Sequence, residues 1–210
     1  MAAAVLVLAA ASPAVSSASG DAPAATEIAT PTATAACGQN PTLRDGTHTI
    51  QSGGQSRTFI LDLPDNYDPN HPYRLVLGLH WWGGTAEDVA TGRTVETGTW
   101  AYYGLQRLAN SSTIFVAPQG IDNGWANSGG QDVTFIDDIL RLLESDLCVN
   151  TEQRFSIGFS YGGAMSYSLA CSRPDVFRAV VVQSSPGQLS GCAGGTQPVA
   201  TWACTAPATT

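Results

Sequence analysis

Four nearly continuous apolar runs constrain the fold of this chain more than any other feature of its sequence. They span residues 74–80, 113–120, 154–160 and 179–185, and each ends in Gly, Pro or polar residues. Such runs are typical of parallel strands buried on both faces, because a strand with one wet face alternates apolar and polar residues. Residues 57–64 do alternate, and they predict an antiparallel or edge strand.

Helical patterns separate these runs. Residues 133–147 place apolar side chains on one face of a helix, and a second helix of small residues is predicted after Ser160. Strands that alternate with helices predict an α/β fold, with a mostly parallel sheet flanked by helices. In such sheets, ligands bind at the carboxyl ends of the strands.

The pentapeptide Gly158-Phe159-Ser160-Tyr161-Gly162 matches the G-x-S-x-G pattern between a predicted strand and a predicted helix. The turn between them is tight, so a side chain at either glycine would collide with a neighbouring element. This context predicts that Ser160 is a nucleophile. The backbone N–H of Tyr161, at the helix start, is then expected to face a developing oxyanion.

A second motif, GLHWWGG at residues 78–84, ends the first apolar run and predicts an oxyanion loop. Trp82 is the first candidate for its backbone donor, and Trp81 is the second. His80 could act as a base, but a role in orienting the loop is favoured. The order of residues supports this, because the partners of an α/β-hydrolase serine follow it in sequence, and all three histidines here precede Ser160.

Together these motifs carry a family resemblance. From about Cys37 to Ala200 the chain resembles the feruloyl esterases related to polyhydroxybutyrate depolymerases. The matching stretches are residues 63–84, 102–120, 124–140 and 158–182. The resemblance implies an α/β-hydrolase fold and a secreted serine carboxylesterase that releases ferulic acid from arabinoxylan through an acyl-enzyme on Ser160, without a cofactor. It also implies that Trp125 lies near the acyl-binding cleft, although loop packing is an equal alternative.

His80 and Trp81 join Trp125 as candidates for the substrate cleft.

Other functions remain open. Acetylxylan esterase and polyester depolymerase are alternatives within the hydrolases, since cleft shape decides between them. A non-catalytic carbohydrate-binding protein is the alternative from a different class, because the family's acid and histidine lie beyond an H-G-T-x-D segment that this sequence lacks.

The last ten residues, TWACTAPATT, show no periodic pattern. A shifted reading frame from residue 201 permits a segment compatible with G-x-H-G-T-x-D, so a frame error, a misplaced intron or a truncation is expected there. The predicted esterase domain therefore spans residues 37–200, with an anomalous tail at 201–210 and the C-terminal part of the fold missing. Almost no esterase activity is expected from the 210-residue chain.

The N-terminal residues predict export. Residues 1–20 fit a signal peptide, with a disordered Ala-rich tail as the alternative, and residues 21–36 fit a linker or pro-segment. In an exported chain four cysteines could form two disulfides in three connectivities, whereas in a reduced compartment they would be buried apolar side chains. The resemblance favours Cys37, Cys148, Cys171 and Cys192, with Cys204 unpaired. Asn110 begins a glycosylation sequon.

Composition excludes other classes of partner. The net charge is −8 and no basic stripe is visible, so neither nucleic acid nor an anionic membrane is an expected partner. No Cys/His cluster has metal-ligand spacing, so no metal is expected. The expected protein is an extracellular monomer whose partner is a feruloylated polysaccharide or oligosaccharide.

Overall fold

The computed structural model describes residues 32–93, 100–185, 187, 192 and 195–204. These residues form seven strands and three α-helices. The strands are β1 Gly46–Ser52, β2 Gln55–Asp62, β3 Tyr73–Leu79, β4 Thr113–Pro118, β5 Val149–Phe159, β6 Ala179–Gln183 and β7 Ala200–Cys204. The helices are α1 Ala86–Thr91, α2 Gln131–Asp146 and α3 Tyr161–Ser172, and four short 3-10 helices lie in the connections.

One mixed sheet contains all seven strands in the order β1-β2-β4-β3-β5-β6-β7. β2 pairs antiparallel with β1 and β4, and every pairing from β4 through β7 is parallel. The prediction of a mostly parallel sheet is confirmed. The antiparallel strand predicted at 57–64 is present as β2, but it lies inside the sheet because β1, which the sequence pattern did not reveal, forms the edge.

Apolar side chains cover both faces of the sheet, which explains the continuous apolar runs. In β3, Leu75, Leu77 and Leu79 belong to the larger core cluster together with side chains from α2 and α3. Val76 belongs instead to a second cluster with Val89 of α1. Alternate residues of one strand therefore enter two different cores, as a central strand requires.

The N-terminal boundary of the folded part lies earlier than the sequence predicted. Residues 32–36 are not a linker, because the Thr34 N–H donates to Val149 O at 3.0 Å and the Thr151 N–H donates to Thr32 O at 2.9 Å. Backbone pairing of this kind needs no apolar pattern, so composition alone could not reveal it. The signal peptide and the rest of the predicted linker lie outside the described residues.

The last described residues also correct the sequence prediction. Residues 201–204 of the predicted anomalous tail belong to β7, in register with β6 from Ala179 opposite Ala200 to Gln183 opposite Cys204. All five residues of β7 are exposed, and Trp202 is 60% exposed. The open edge of β6 supplies backbone hydrogen bonds irrespective of side-chain type, which is why a strand forms without a strand-like sequence pattern.

Two disulfides, Cys37–Cys148 and Cys171–Cys192, cross-link the chain, and Cys204 is an exposed free thiol. The first closes a span of 111 residues and the second a span of 21. Of the three connectivities left open by the sequence, the structure contains this one. Among the described residues, no helix is long and apolar enough to cross a membrane, and no group of three or more metal-ligating side chains is found.

Candidate active site

Ser160 lies in the sharp turn between β5 and α3, with backbone angles φ 52° and ψ −114°. A non-glycine residue rarely adopts such angles, so the turn is strained and must be held by its surroundings. The Ser160 N–H donates to Gln183 O of β6 at 2.8 Å, and its carbonyl accepts from the Ala164 N–H of α3 at 3.0 Å. The neighbouring strand and the first turn of the helix therefore fix the serine at the carboxyl end of the sheet.

The two glycines of the pentapeptide are required by close backbone contacts. A Cβ atom on Gly158 would lie 2.2 Å from the carbonyl carbon of Gly162, at the start of α3. A Cβ on Gly162 would lie 2.1 Å from Leu79 O, at the end of β3. Because both obstacles are backbone atoms, neither can rotate away, and the strand–turn–helix geometry excludes larger residues.

The residues predicted to stabilise an oxyanion lie side by side. Tyr161 is the first residue of α3, so its N–H has no acceptor within the helix, and the positive end of the helix dipole is located there. Trp82 lies in the turn after β3, and its ring contacts the Tyr161 ring with centroids 5.4 Å apart. Within the described ranges, no hydrogen-bond acceptor is found for the backbone N–H of either residue.

His80 is completely buried, and both of its ring nitrogens are occupied by backbone groups. Nδ1 lies 2.8 Å from Trp81 O, and Nε2 accepts from the Gly120 N–H at 2.9 Å. A carbonyl can only accept and an amide N–H can only donate, so the imidazole is neutral with its proton on Nδ1. Burial lowers the pKa of His80, in agreement with a neutral ring. This geometry ties the loop after β3 to the loop after β4.

The other two histidines are remote from the serine. His48, on the edge strand β1, contacts Arg44 O at 2.7 Å and stacks on Phe59. His71 precedes β3 and packs edge-on against Tyr73, at the opposite end of that strand from the loop that carries His80 and Trp82. All three histidines of the chain are described, and none is hydrogen-bonded to Ser160.

Trp125, a candidate for the cleft, is fully buried in the larger core cluster. Its indole N–H donates to His80 O at 2.8 Å, and its ring lies 4.8 Å from the imidazole. The indole exposes no surface to a substrate and instead supports the loop, as the packing alternative described. Trp81 is half-buried and packs against Gly84, where a Cβ would lie 2.9 Å from its ring.

A buried ionic network near this loop was not predicted from the sequence. Arg57 of β2 contacts Asp132 of α2 at 2.8 Å, with both side chains at most 5% exposed. The Asn127 N–H donates to the same carboxylate at 2.7 Å, and Arg57 also donates to Gln119 O at 3.2 Å. The network therefore holds residues 119–127, which support His80. Isolated polar residues 75 positions apart gave no sequence signal for this pairing.

The sheet order, the serine turn and the adjoining loop define an α/β-hydrolase fold. Residues 50–208 match the Esterase family model, described as "Putative esterase", and the chain belongs to this family. The curated relatives include "Probable feruloyl esterase C" of Aspergillus niger, 51% identical over 78% of this chain and 57% of the relative. "Feruloyl esterase D" of Neurospora crassa is 48% identical over 84% of this chain and 61% of the relative. The chain thus spans about three fifths of the length of these relatives.

Solved structures share the fold at lower sequence identity. A ferulic acid esterase superposes with a TM-score of 0.55 at 21% identity, covering 68% of this chain and 60% of that one. The S-formylglutathione hydrolase FrmB of Staphylococcus aureus superposes with a TM-score of 0.54 at 16% identity, covering 68% of this chain and 57% of that one. At these identities the likeness supports the fold alone.

Proposed function

We propose that Ser160 is the nucleophile of a carboxylic ester hydrolase. The observation that carries this proposal is the strained turn at Ser160, which the flanking glycines and the Gln183 hydrogen bond hold at the carboxyl end of the sheet. In the reaction, Ser160 Oγ attacks the ester carbonyl, and the tetrahedral intermediate expels the alcohol of the ester, which takes up the proton lost by the serine. Water then hydrolyses the acyl-enzyme, which releases the free acid and restores the serine hydroxyl. The backbone N–H groups of Tyr161 and Trp82 stabilise the oxyanion of each tetrahedral intermediate.

The proposed substrate is a feruloyl ester of plant cell-wall polysaccharide such as arabinoxylan. Support comes from the feruloyl esterases C and D among the relatives, whose sequences are about 50% identical to this chain over most of its length. Acetylxylan esters and polyesters are the alternative substrates.

Two disulfides favour an oxidising compartment, so we propose that the protein is exported, with glycosylation at the exposed Asn110.

Catalysis also needs a base for the serine proton, and none of the three histidines is placed to accept it. A serine hydroxyl without a base is a weak nucleophile at neutral pH. Loss of the triad histidine alone costs about a millionfold in kcat in a well-studied serine protease. We therefore propose that the 210-residue chain turns over esters very slowly. The same observation favours a second candidate function, binding of feruloylated xylan without hydrolysis.

Three proteins test these proposals in a methyl ferulate hydrolysis assay. They are the 210-residue chain, the chain extended in the shifted frame after residue 200, and the extended chain with Ser160→Ala. The extended chain is expected to hydrolyse the ester, and Ser160→Ala is expected to abolish the activity. Activity of the 210-residue chain equal to that of the extended chain would show that the base lies upstream of the serine. An extended chain that binds feruloylated xylan but never hydrolyses it would favour the binding function.

A further inference from the structure

Trp82 is unusually exposed for a tryptophan beside a candidate active site. Its side chain is 67% exposed, although His80, two residues earlier, is completely buried and Trp81, directly before it, is half-buried. Single exposed apolar residues are common on protein surfaces, so exposure alone indicates nothing. The position of the ring is informative because it touches Tyr161, the residue that directly follows Ser160.

The two rings are held as a pair. Their centroids are 5.4 Å apart with an interplanar angle of 61°, an edge-to-face arrangement that aromatic pairs favour. Both rings rest on the backbone of Gly124, where a Cβ would lie 2.8 Å from Trp82 Cζ3 and 3.0 Å from Tyr161 Cε1. The absence of a side chain at Gly124 therefore allows both rings to pack against the loop after β4.

The loop beneath the pair is itself fixed. The Gly83 N–H donates to Asn123 O at 2.8 Å, and the buried Trp125 donates to His80 O at 2.8 Å. Hydrogen bonds on both sides of Trp82 thus anchor its backbone to the neighbouring loop. A ring on an anchored loop gives a preorganised contact surface, because little entropy is lost when a ligand binds to it.

We propose that the side chains of Trp82 and Tyr161 bind the aromatic ring of the acyl group and so make the site selective for aromatic acyl esters. This inference rests on the proposed function, since it assigns a substrate contact at the Ser160 site. Trp82 then has two separate roles. Its backbone N–H faces the oxyanion, and its indole contacts the acyl ring.

The test measures binding of methyl ferulate to the 210-residue chain by ligand-detected NMR titration, so it needs no turnover. Trp82→Ala is expected to weaken binding about 3- to 10-fold, the size of one aromatic contact, whereas Trp82→Phe retains most of the affinity. Trp202→Ala is the matched control, because it removes a similarly exposed tryptophan on β7, three strands away from β3 in the sheet. This control is expected to bind like the parent chain.

Each outcome decides the inference. Unchanged affinity in Trp82→Ala, equal losses in Trp82→Ala and Trp202→Ala, or no detectable binding to the parent chain would each overturn it. A loss of xylobiose binding instead of methyl ferulate binding would also overturn it and assign the rings to the sugar. If Trp82→Ala alone weakens methyl ferulate binding while the extended chain never hydrolyses the ester, the acyl contact stands and the esterase proposal fails.

Discussion

His80 provides the sharpest test of how the loops of the candidate active site are held together. Its Nε2 is the hydrogen-bond acceptor for the buried N–H of Gly120, whereas its Nδ1 donates to Trp81 O. The carbonyl of Trp81 keeps a second donor, the Gly84 N–H at 3.0 Å, if the imidazole is removed. The Gly120 N–H has no such substitute among the described residues. The critical atom of His80 is therefore Nε2.

Two amide substitutions separate the roles of the two nitrogens. Gln reaches as far as Nε2 and offers an acceptor there, whereas Asn reaches only as far as Nδ1 and leaves the Gly120 N–H without a partner. A buried donor left unsatisfied costs about 1–3 kcal/mol. We expect both variants to be destabilised, with His80→Asn less stable than His80→Gln by about that amount. Urea unfolding followed by fluorescence measures this difference.

The pH dependence gives a second measurement on the same residue. Burial lowers the pKa of His80 in the folded state below its ordinary value of 6.5, against the opposing effects of Trp81 O and the carboxylates of Asp88 and Asp132. Below pH 6.5 the unfolded chain binds a proton that the folded chain does not, so stability falls as the pH falls toward the folded pKa. The slope attributable to His80 is at most about 1.4 kcal/mol per pH unit.

His80→Gln lacks this titration and serves as the control, so its stability is expected to fall less between pH 7 and pH 5 than that of the parent chain. Equal stabilities of His80→Asn and His80→Gln would show that the hydrogen bond from the Gly120 N–H to Nε2 does not hold the loop. Coinciding pH profiles of the parent chain and His80→Gln would show that burial does not lower the pKa of His80.

Two further predictions concern the scaffold. Loop-closure entropy predicts that Cys37–Cys148, with its 111-residue span, contributes about 4.8 kcal/mol to stability, and that Cys171–Cys192, with its 21-residue span, contributes about 3.3 kcal/mol. Removing the first disulfide should therefore lower the free energy of unfolding in urea more than removing the second. The reverse order would contradict the entropic account. Gly162→Ala, whose Cβ would lie 2.1 Å from a backbone oxygen of β3, should lower stability by at least about 1–3 kcal/mol or prevent folding. Gly163→Ala is the milder comparison, because its Cβ would lie 3.0 Å from Gly158 O, and it should lose less stability; an equal loss in both variants would argue against the backbone clash at Gly162.

The sequence by itself determined the fold class and the position of the serine. The continuous apolar runs predicted strands buried on both faces, and the glycines at 158 and 162, in their context, predicted a tight turn between strand and helix. These features could be predicted because each depends on residues that are close together in the chain. The disulfide-forming cysteines were also recognised, but their pairing was not.

Only the tertiary structure decided which groups meet around the serine. It placed Gly120 against His80 and Trp82 against Tyr161, and it buried Trp125 beneath the loop. It also formed β7 from residues that carry no strand pattern, because an open sheet edge binds any backbone that reaches it. These contacts join segments that lie tens of residues apart. Those of Gly120 and β7 also depend on backbone groups, which are the same at every position. A sequence pattern therefore cannot encode them.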